Sequence, residues 1–363
     1  MQGLTLNVLF VTNHAPDYRE SFLRELGGQV ENLTVVAQPC SQDGLADPDN
    51  RLGYTFVEIP TFRFMGFYWQ PGLRKLLHSH HWDILCFDID LRQLARIYLF
   101  ITSRKYWRKW IWRGLVFGRS KLKILGLIRR YLFRRSAGCL VYSEEVAKRV
   151  RRKFGVHAIS FNNTEIKRSE FRKGNFDKEH SELRLLFVGT YKQRKKLERL
   201  ADLVSRRDDV IVKIVGPGME KMKVPFQITA TGKIDIVGRK TGAELNPYFD
   251  WADLVVSPGN VGLLVMNAAR HGKGIVIDNN SMHGPEYLLA KESGQPFVSF
   301  ANAKEVDFFV DKVLSDRRMF KVWGGQLQSV AKEQYTIEHM ADVHMQVFYR
   351  VAGFDGVMSK SNS

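Results

Sequence analysis

Short apolar runs alternate with longer amphipathic stretches along nearly the whole chain. In the first half the runs are Leu6–Thr12, Leu33–Ala37, Phe56–Ile59, Asp83–Phe87, Trp110–Trp112, Cys139–Tyr142 and Ala158–Phe161. They are too short for helices and rich in Val, Ile and aromatic residues, so strands are predicted. The stretches Tyr18–Leu26, Trp69–His78, Leu91–Ile101 and Glu144–Phe154 read as helices between them. A polar segment from Glu165 to Glu182 carries no apolar periodicity and marks a domain boundary. The alternation then restarts, with strands expected at Leu183–Val188, Val210–Val215, Phe226–Ala230, Leu254–Ser257, Gly274–Asp278 and Pro296–Phe300. Helices are expected near Lys195–Ser205, Gly242–Asp250, Gly262–Arg270, Ala303–Leu314 and, last, Ile337–Val351.

Strands alternating with helices imply parallel sheets covered by helices, and the repetition implies two such layers. The predicted fold class is therefore α/β, with two Rossmann-like domains facing a central cleft. Residues 1–165 form the first and 166–336 the second. A helix over 337–352 is expected to pack back on the first domain, ahead of a flexible tail, 353–363.

Composition adds the compartment. Cys40, Cys86 and Cys139 are an odd, widely spaced set, which argues against a disulfide framework and gives no zinc spacing. No basic segment followed by a long apolar one opens the chain, and no stretch reaches the roughly 18 apolar residues of a membrane span. A cytoplasmic protein is expected.

The formal charge is +17, and most of it is local. Between Arg104 and Lys153 seventeen Lys and Arg stand against Glu144 and Glu145. Trp107, Trp110, Trp112, Tyr131 and several leucines are interleaved with Arg113, Arg129 and Arg130. Rings and alkyl chains that enter a headgroup layer beside cations that pair with lipid phosphate describe an interfacial segment, so 104–153 is read as membrane-facing. A solvated basic face over an ordinary core is the alternative. Nucleic acid is a weaker reading, because no recognised binding module accompanies the charge.

Two segments carry candidate chemistry. Gly189-Thr190-Tyr191-Lys192-Gln193-Arg194-Lys195-Lys196 follows the first strand of the second half and opens a helix. A glycine at a strand end lets a ligand approach the backbone, and cations at a helix start suit a diphosphate. Ser257-Pro258-Gly259-Asn260-Val261-Gly262-Leu263 follows another strand and also leads into a helix, whose first amides would face the strand ends where phosphate binds in doubly wound folds.

On these residues the chain resembles the retaining GT-B glycosyltransferases of family four, in the branch that builds bacterial surface polysaccharides. Gly189 to Lys196 resembles the family's phosphate motif, with Lys196 at the lysine and Thr190 where arginine is usual. Ser257 to Ala268 is similar to the branch's Pro-Gly-Asn-x-Gly-Leu segment, and His283-Gly284-Pro285-Glu286-Tyr287 to the Pro-Glu after it. The family's paired glutamates fall on Gly259 and Asn267, so neither carboxylate is present, although an Asn267 amide can still bond a ribose hydroxyl. Asn13 to Arg19 resembles the branch's Pro-x-Tyr-Arg segment, and Trp112-Arg113-Gly114 a modified Trp-x-His-Gly loop.

The resemblance implies a glycosyltransferase that moves a sugar from a nucleotide-diphosphate sugar, of UDP or GDP type, to a lipid-linked glycan acceptor. Surface polysaccharide or lipopolysaccharide biosynthesis at the inner face of the cell membrane is the implied setting. His14, Arg19 and Lys196 are the implied catalytic groups. Gly189, Thr190, Lys192, Lys195, Gly216, Val237, Pro258, Gly259, Asn260, Val261, Gly262, Leu263, Asn267 and Glu286 are the implied donor site. No cofactor, metal or nucleic acid is expected. The rival is a non-catalytic protein of the same fold that serves as a scaffold in a polysaccharide assembly complex.

Overall fold

The computed structural model describes residues 5–40, 47–117, 123–176, 180–222 and 231–354. The chain forms two compact units, Met1–Glu165 with Ile337–Ser363, and Ile166–Thr336. The expected strand Phe226–Ala230, most of the tail and part of the basic segment lie outside the described residues.

The first unit is built on β1 (Asn7–Val11), β2 (Asn32–Ala37), β3 (Thr55–Glu58), β6 (Ile84–Asp88), β7 (Trp110–Gly114), β8 (Gly138–Val141) and β9 (Ala158–Ser160), ordered β3-β2-β1-β6-β7-β8-β9. Every pair is parallel. Between β3 and β6 a separate hairpin pairs β4 (Phe62–Phe64) with β5 (Phe67–Trp69). Helices α1 (Asp17–Gly27), α2 (Leu73–Ser79), α3 (Leu94–Thr102), α4 (Lys123–Arg135) and α5 (Glu144–Phe154) connect the strands.

Side-chain alternation divides this unit into two cores, one on each face of the sheet. Leu9, Val11, Leu85, Phe87, Trp110 and Trp112 enter one, while Val8, Phe10, Ile84, Cys86 and Ile111 enter the other. The second core is completed from the far end of the sequence. Ile337, Met340, Ala341, His344, Val347 and Phe348 are buried at helical spacing and pack beside Phe10, Phe22 and Leu26.

The second unit orders β10 (Leu183–Val188), β11 (Val210–Val215), β12 (Ile234–Val237), β13 (Leu254–Ser257), β14 (Ile275–Asp278) and β15 (Phe297–Val298) as β12-β11-β10-β13-β14-β15, again all parallel. This is the doubly wound order in which the chain reverses direction across the sheet between its first and fourth strands. Its helices are α6 (Glu198–Arg206), α7 (Asn246–Trp251), α8 (Leu264–Arg270), α9 (Tyr287–Glu292), α10 (Ala303–Ser315) and α11 (Arg318–Gln334); α12 (Ile337–Val351) returns to the first unit.

The strand pattern departs from expectation in two instructive places. Trp69 ends a strand, not a helix, and α2 begins only at Leu73. The basic segment holds a helix, α4, that its charges concealed. No described helix is long and apolar enough to cross a membrane.

Candidate active site

The reversal point of the second sheet lies between β10 and β13, and ligands of doubly wound sheets bind beyond the carboxyl ends of the strands at such a point. Gly189 follows β10, Gly216 follows β11, Val237 ends β12 and Pro258 follows β13, so four loops from the sequence reading meet there.

Small residues let the loops close on one another. Gly216 sits at φ 147°, and a Cβ on it would lie 2.1 Å from the Gly189 carbonyl oxygen. The Gly216 amide donates to the Val237 carbonyl at 3.1 Å, and the Gly189 amide to Val215 at 2.9 Å, which continues the ladder past the strand ends. Gly259 is needed for approach: a Cβ there would stand 2.6 Å from the carbonyl oxygens of Arg194 and Lys195.

The Lys192–Lys196 loop and the Pro258–Gly262 loop are thereby in contact. The Asn260 amide donates to the Arg194 carbonyl at 2.9 Å, and Lys195 Nζ donates to the Asn260 carbonyl at 2.8 Å. Arg199, on α6, donates to the Pro258 carbonyl at 2.7 Å and pairs at 3.1 Å with the fully buried Asp278 at the end of β14. From the other side His283 takes the Val261 amide on Nδ1 at 3.2 Å, and its Nε2 lies 2.8 Å from the Asp278 carbonyl. Those contacts assign the proton to Nε2. Asn260 also donates to the Met282 carbonyl.

Among the described residues, the amides of Gly262, Leu263 and Leu264, which open α8, have no hydrogen-bond acceptor. Lys195 approaches this turn: its Nζ is 4.0 Å from the position a Gly262 Cβ would take. Burial, together with the neighbouring Arg194 and Lys192 and against the opposing Glu286, lowers its pKa to about 8. Burial also lowers the pKa of His283, with Lys195 adding to the effect. An anion beside Lys195 would raise its pKa again and hold the ammonium charged to higher pH.

The other expected donor residues take different places. Thr190 and Lys192 are exposed, and Lys196 is half-buried with φ 54° and ψ 38°, a left-handed conformation that turns the chain into α6. The Val261 side chain is wholly buried, so only its backbone belongs to the site. Asn267 lies within α8, and its Oδ1 accepts from Arg270 at 3.3 Å. Arg199, Asp278 and His283 were not among the expected site residues. A buried aspartate at a strand end with an arginine one helical turn beyond Lys195 is a signal that spacing alone could have offered.

In the first unit the reversal lies between β1 and β6. Asp88, at the end of β6, accepts from Thr12 Oγ1 at 2.6 Å and from Arg113 at 2.8 Å. Arg96 donates to the Thr12 carbonyl at 2.9 Å and to the Asp88 carbonyl at 3.2 Å. This network holds the turn that presents His14, whose Nε2 lies 2.7 Å from Gln38 Nε2. Arg19 is half-buried near the start of α1, and among the described residues no carboxylate pairs with it; its guanidinium lies 5.5 Å from the centre of the Tyr18 ring.

Three membrane-facing expectations are overturned by burial. Trp110 and Trp112 are fully buried in β7, packed at tilted angles against Phe87 and Phe100, because this central strand is covered on both faces. Arg113 is 3% exposed, paired with Asp88 and 3.1 Å from His344 Nε2, with its guanidinium against the Phe10 and Phe161 rings. It is a structural ion, not an acceptor contact. Trp107 is half-buried, donating to the Phe100 carbonyl at 2.6 Å, Arg129 is half-buried and Arg130 is exposed.

Comparison with solved structures places the fold. The chain is similar to sucrose-phosphate synthase from Thermosynechococcus elongatus (TM-score 0.67, 12% identity, 95% of this chain and 99% of that one). It is similar to HepE from Anabaena in complex with UDP (0.67, 11%, 95% and 100%) and to the lipopolysaccharide outer core galactosyltransferase WaaB (0.62, 12%, 95% and 100%). No family model and no curated protein sequence matches. The chain thus has the GT-B fold of two Rossmann-like domains.

Proposed function

We propose that this protein is a glycosyltransferase that uses a nucleotide-diphosphate sugar, of UDP or GDP type, in surface polysaccharide or lipopolysaccharide assembly. The observation that carries the reading is the junction at the reversal point of the second sheet. There a partly buried lysine of lowered pKa, Lys195, and three amides without an acceptor among the described residues adjoin strand ends kept narrow by Gly189, Gly216 and Gly259. Solved proteins of the same fold include HepE holding UDP or UDP-glucose, which supports a nucleotide in this class of site.

In the reaction the bond between the anomeric carbon and the distal phosphate oxygen breaks, and an acceptor hydroxyl forms the new bond and loses its proton. Negative charge builds on the departing diphosphate. Lys195, with Lys196 and the Gly262–Leu264 amides, is proposed to neutralise it; loss of one such donor typically slows a reaction by about 10²- to 10³-fold. Glu286 is proposed to engage the sugar, Asn267 the ribose, and His14 and Arg19 the acceptor side. Retention of configuration is part of the proposal, as is a lipid-linked acceptor at the inner face of the membrane.

A second reading is a non-catalytic nucleotide-sugar binder. It is favoured by the backbone at Gly259, which leaves no room for the side chain that the first family glutamate would need. Calorimetric titration with UDP, GDP and their sugars, followed by a donor screen against lipid-linked acceptor extracts read by mass shift, tests both. Binding with transfer supports the enzyme, and binding without transfer supports the second reading. No binding by wild type, or identical binding by Lys195→Met and Lys196→Ala, refutes the site.

A further inference from the structure

Among the described residues, the most exposed apolar surface of the first unit is not in the basic segment. It is the β4–β5 hairpin, where Phe62 is 63% exposed, Phe64 75%, Met65 82%, Phe67 45% and Trp69 44%. Cross-strand pairs are Phe62 with Trp69, Arg63 with Tyr68 and Phe64 with Phe67. Alternation therefore puts Phe62, Phe64, Phe67 and Trp69 on one face and Arg63 and Tyr68 on the other.

On the polar face Tyr68 is turned inward while Arg63 stays exposed. Tyr68 is the half-buried member, lying 5.4 Å from the Arg92 guanidinium, and its amide donates to the Arg92 carbonyl at 2.8 Å. A soluble ribbon would bury its rings, whereas here Phe62, Phe64, Phe67 and Trp69 face water. Its turn is Met65-Gly66, both at positive φ (47° and 79°), as a tight type I′ connection requires. Asparagine or aspartate is usual at the first position, so methionine there places a flexible apolar side chain at the tip at a conformational cost.

The apolar surface continues onto α3. Trp69 lies 5.9 Å from Tyr98, and Leu94, Tyr98 and Ile101, spaced along one helix face, are each more than 40% exposed. Exposed cations flank it: Arg74 and Lys75 at the start of α2, Arg104, Lys105 and Arg108 just past α3. Rings with a cationic border fit the headgroup boundary of an anionic bilayer.

We propose that the β4–β5 hairpin is a wedge that inserts Phe62, Phe64, Met65, Phe67 and Trp69 into anionic phospholipid and seats the first unit on the membrane. The proposal deepens the membrane part of the functional reading and rests on it for the choice of surface; it uses neither the donor site nor transfer.

The test takes the full chain without nucleotide and measures cosedimentation with vesicles of phosphatidylcholine, alone or mixed equally with phosphatidylglycerol. Binding is expected to the mixed vesicles. The F64S/M65S variant alters two exposed side chains, so its thermal transition should match wild type while its partition onto mixed vesicles drops about tenfold or more. Brominated lipid should quench a fluorescence component that W69F lacks. Three results overturn the proposal: unchanged partition of F64S/M65S; partition lost on Arg130→Ala with Arg134→Ala but not on F64S/M65S; or a lipid-free dimer that F64S/M65S converts to monomer, which would make a second copy the occupant. Failure of nucleotide binding would leave these outcomes unaffected.

Discussion

Raising the pH should weaken nucleotide binding through Lys195. Burial beside Arg194 and Lys192 lowers its pKa to about 8, so the ammonium is mostly charged at pH 7 and mostly neutral at pH 9. A diphosphate stabilises the charged form, so the pKa in the complex rises. Affinity is then full below about pH 8 and falls as pH climbs toward the pKa of the complex. Between pH 7 and pH 9 the charged fraction changes about tenfold, and the dissociation constant for UDP or GDP should rise about tenfold with it. At pH 8 binding should take up about half a proton per nucleotide, measurable by calorimetry in buffers of different ionisation enthalpy. The free protein should move oppositely. A lysine whose folded pKa lies below its unfolded value destabilises the fold while both states are charged, and that penalty is relieved as pH rises from about 8 toward about 10. Lys195→Arg keeps its charge throughout and should flatten the binding profile. Wild-type affinity unchanged from pH 7 to 9 without proton uptake, or an equally steep profile in Lys195→Arg, would refute the assignment of this ammonium to the diphosphate.

Other outcomes follow from the same geometry. Gly259→Glu restores a carboxylate where the resembled family has one, yet its Cβ would stand 2.6 Å from the Arg194 and Lys195 carbonyl oxygens. It should lower the unfolding free energy by about 1–3 kcal/mol and weaken nucleotide binding; a gain in affinity contradicts the packing described. Asp88→Asn leaves Arg113 buried without its counter-ion and should cost about 3–5 kcal/mol in denaturant unfolding. A loss below about 1 kcal/mol would show that the surrounding rings and His344 suffice to hold the guanidinium.

The sheet was legible because its central strands are covered on both faces and read as unbroken apolar runs, as in Ile84–Asp88 and Leu254–Ser257. Ile234–Val237 escaped notice because it is a half-exposed outer strand with Asp235 in its middle. The aromatic hairpin was illegible for the opposite reason: its rings face water, so Trp69 was absorbed into the neighbouring helical pattern. Composition likewise could not separate Trp107 and Arg130 from Trp110, Trp112 and Arg113. Burial of Arg113 depends on Asp88 and His344, which are remote in sequence. At the proposed donor site the strand–glycine–cation order was readable, but three consecutive cations are chemically alike on paper. Only the left-handed turn at Lys196 and the carbonyl of Asn260 single out Lys195.

Helix α12 imposes a schedule on biogenesis. His344 and its apolar neighbours close a core whose sheet is made from the opposite end of the polypeptide, with the whole second unit synthesised between them. On the ribosome, Phe10, Phe22 and the Arg113 guanidinium must wait, incompletely covered, until the last segment emerges, whereas the second unit has its own core to hand. The amino-terminal half alone is therefore an unfinished object, and a chain stopped after Thr336 should be cleaved by proteases far faster than the full chain.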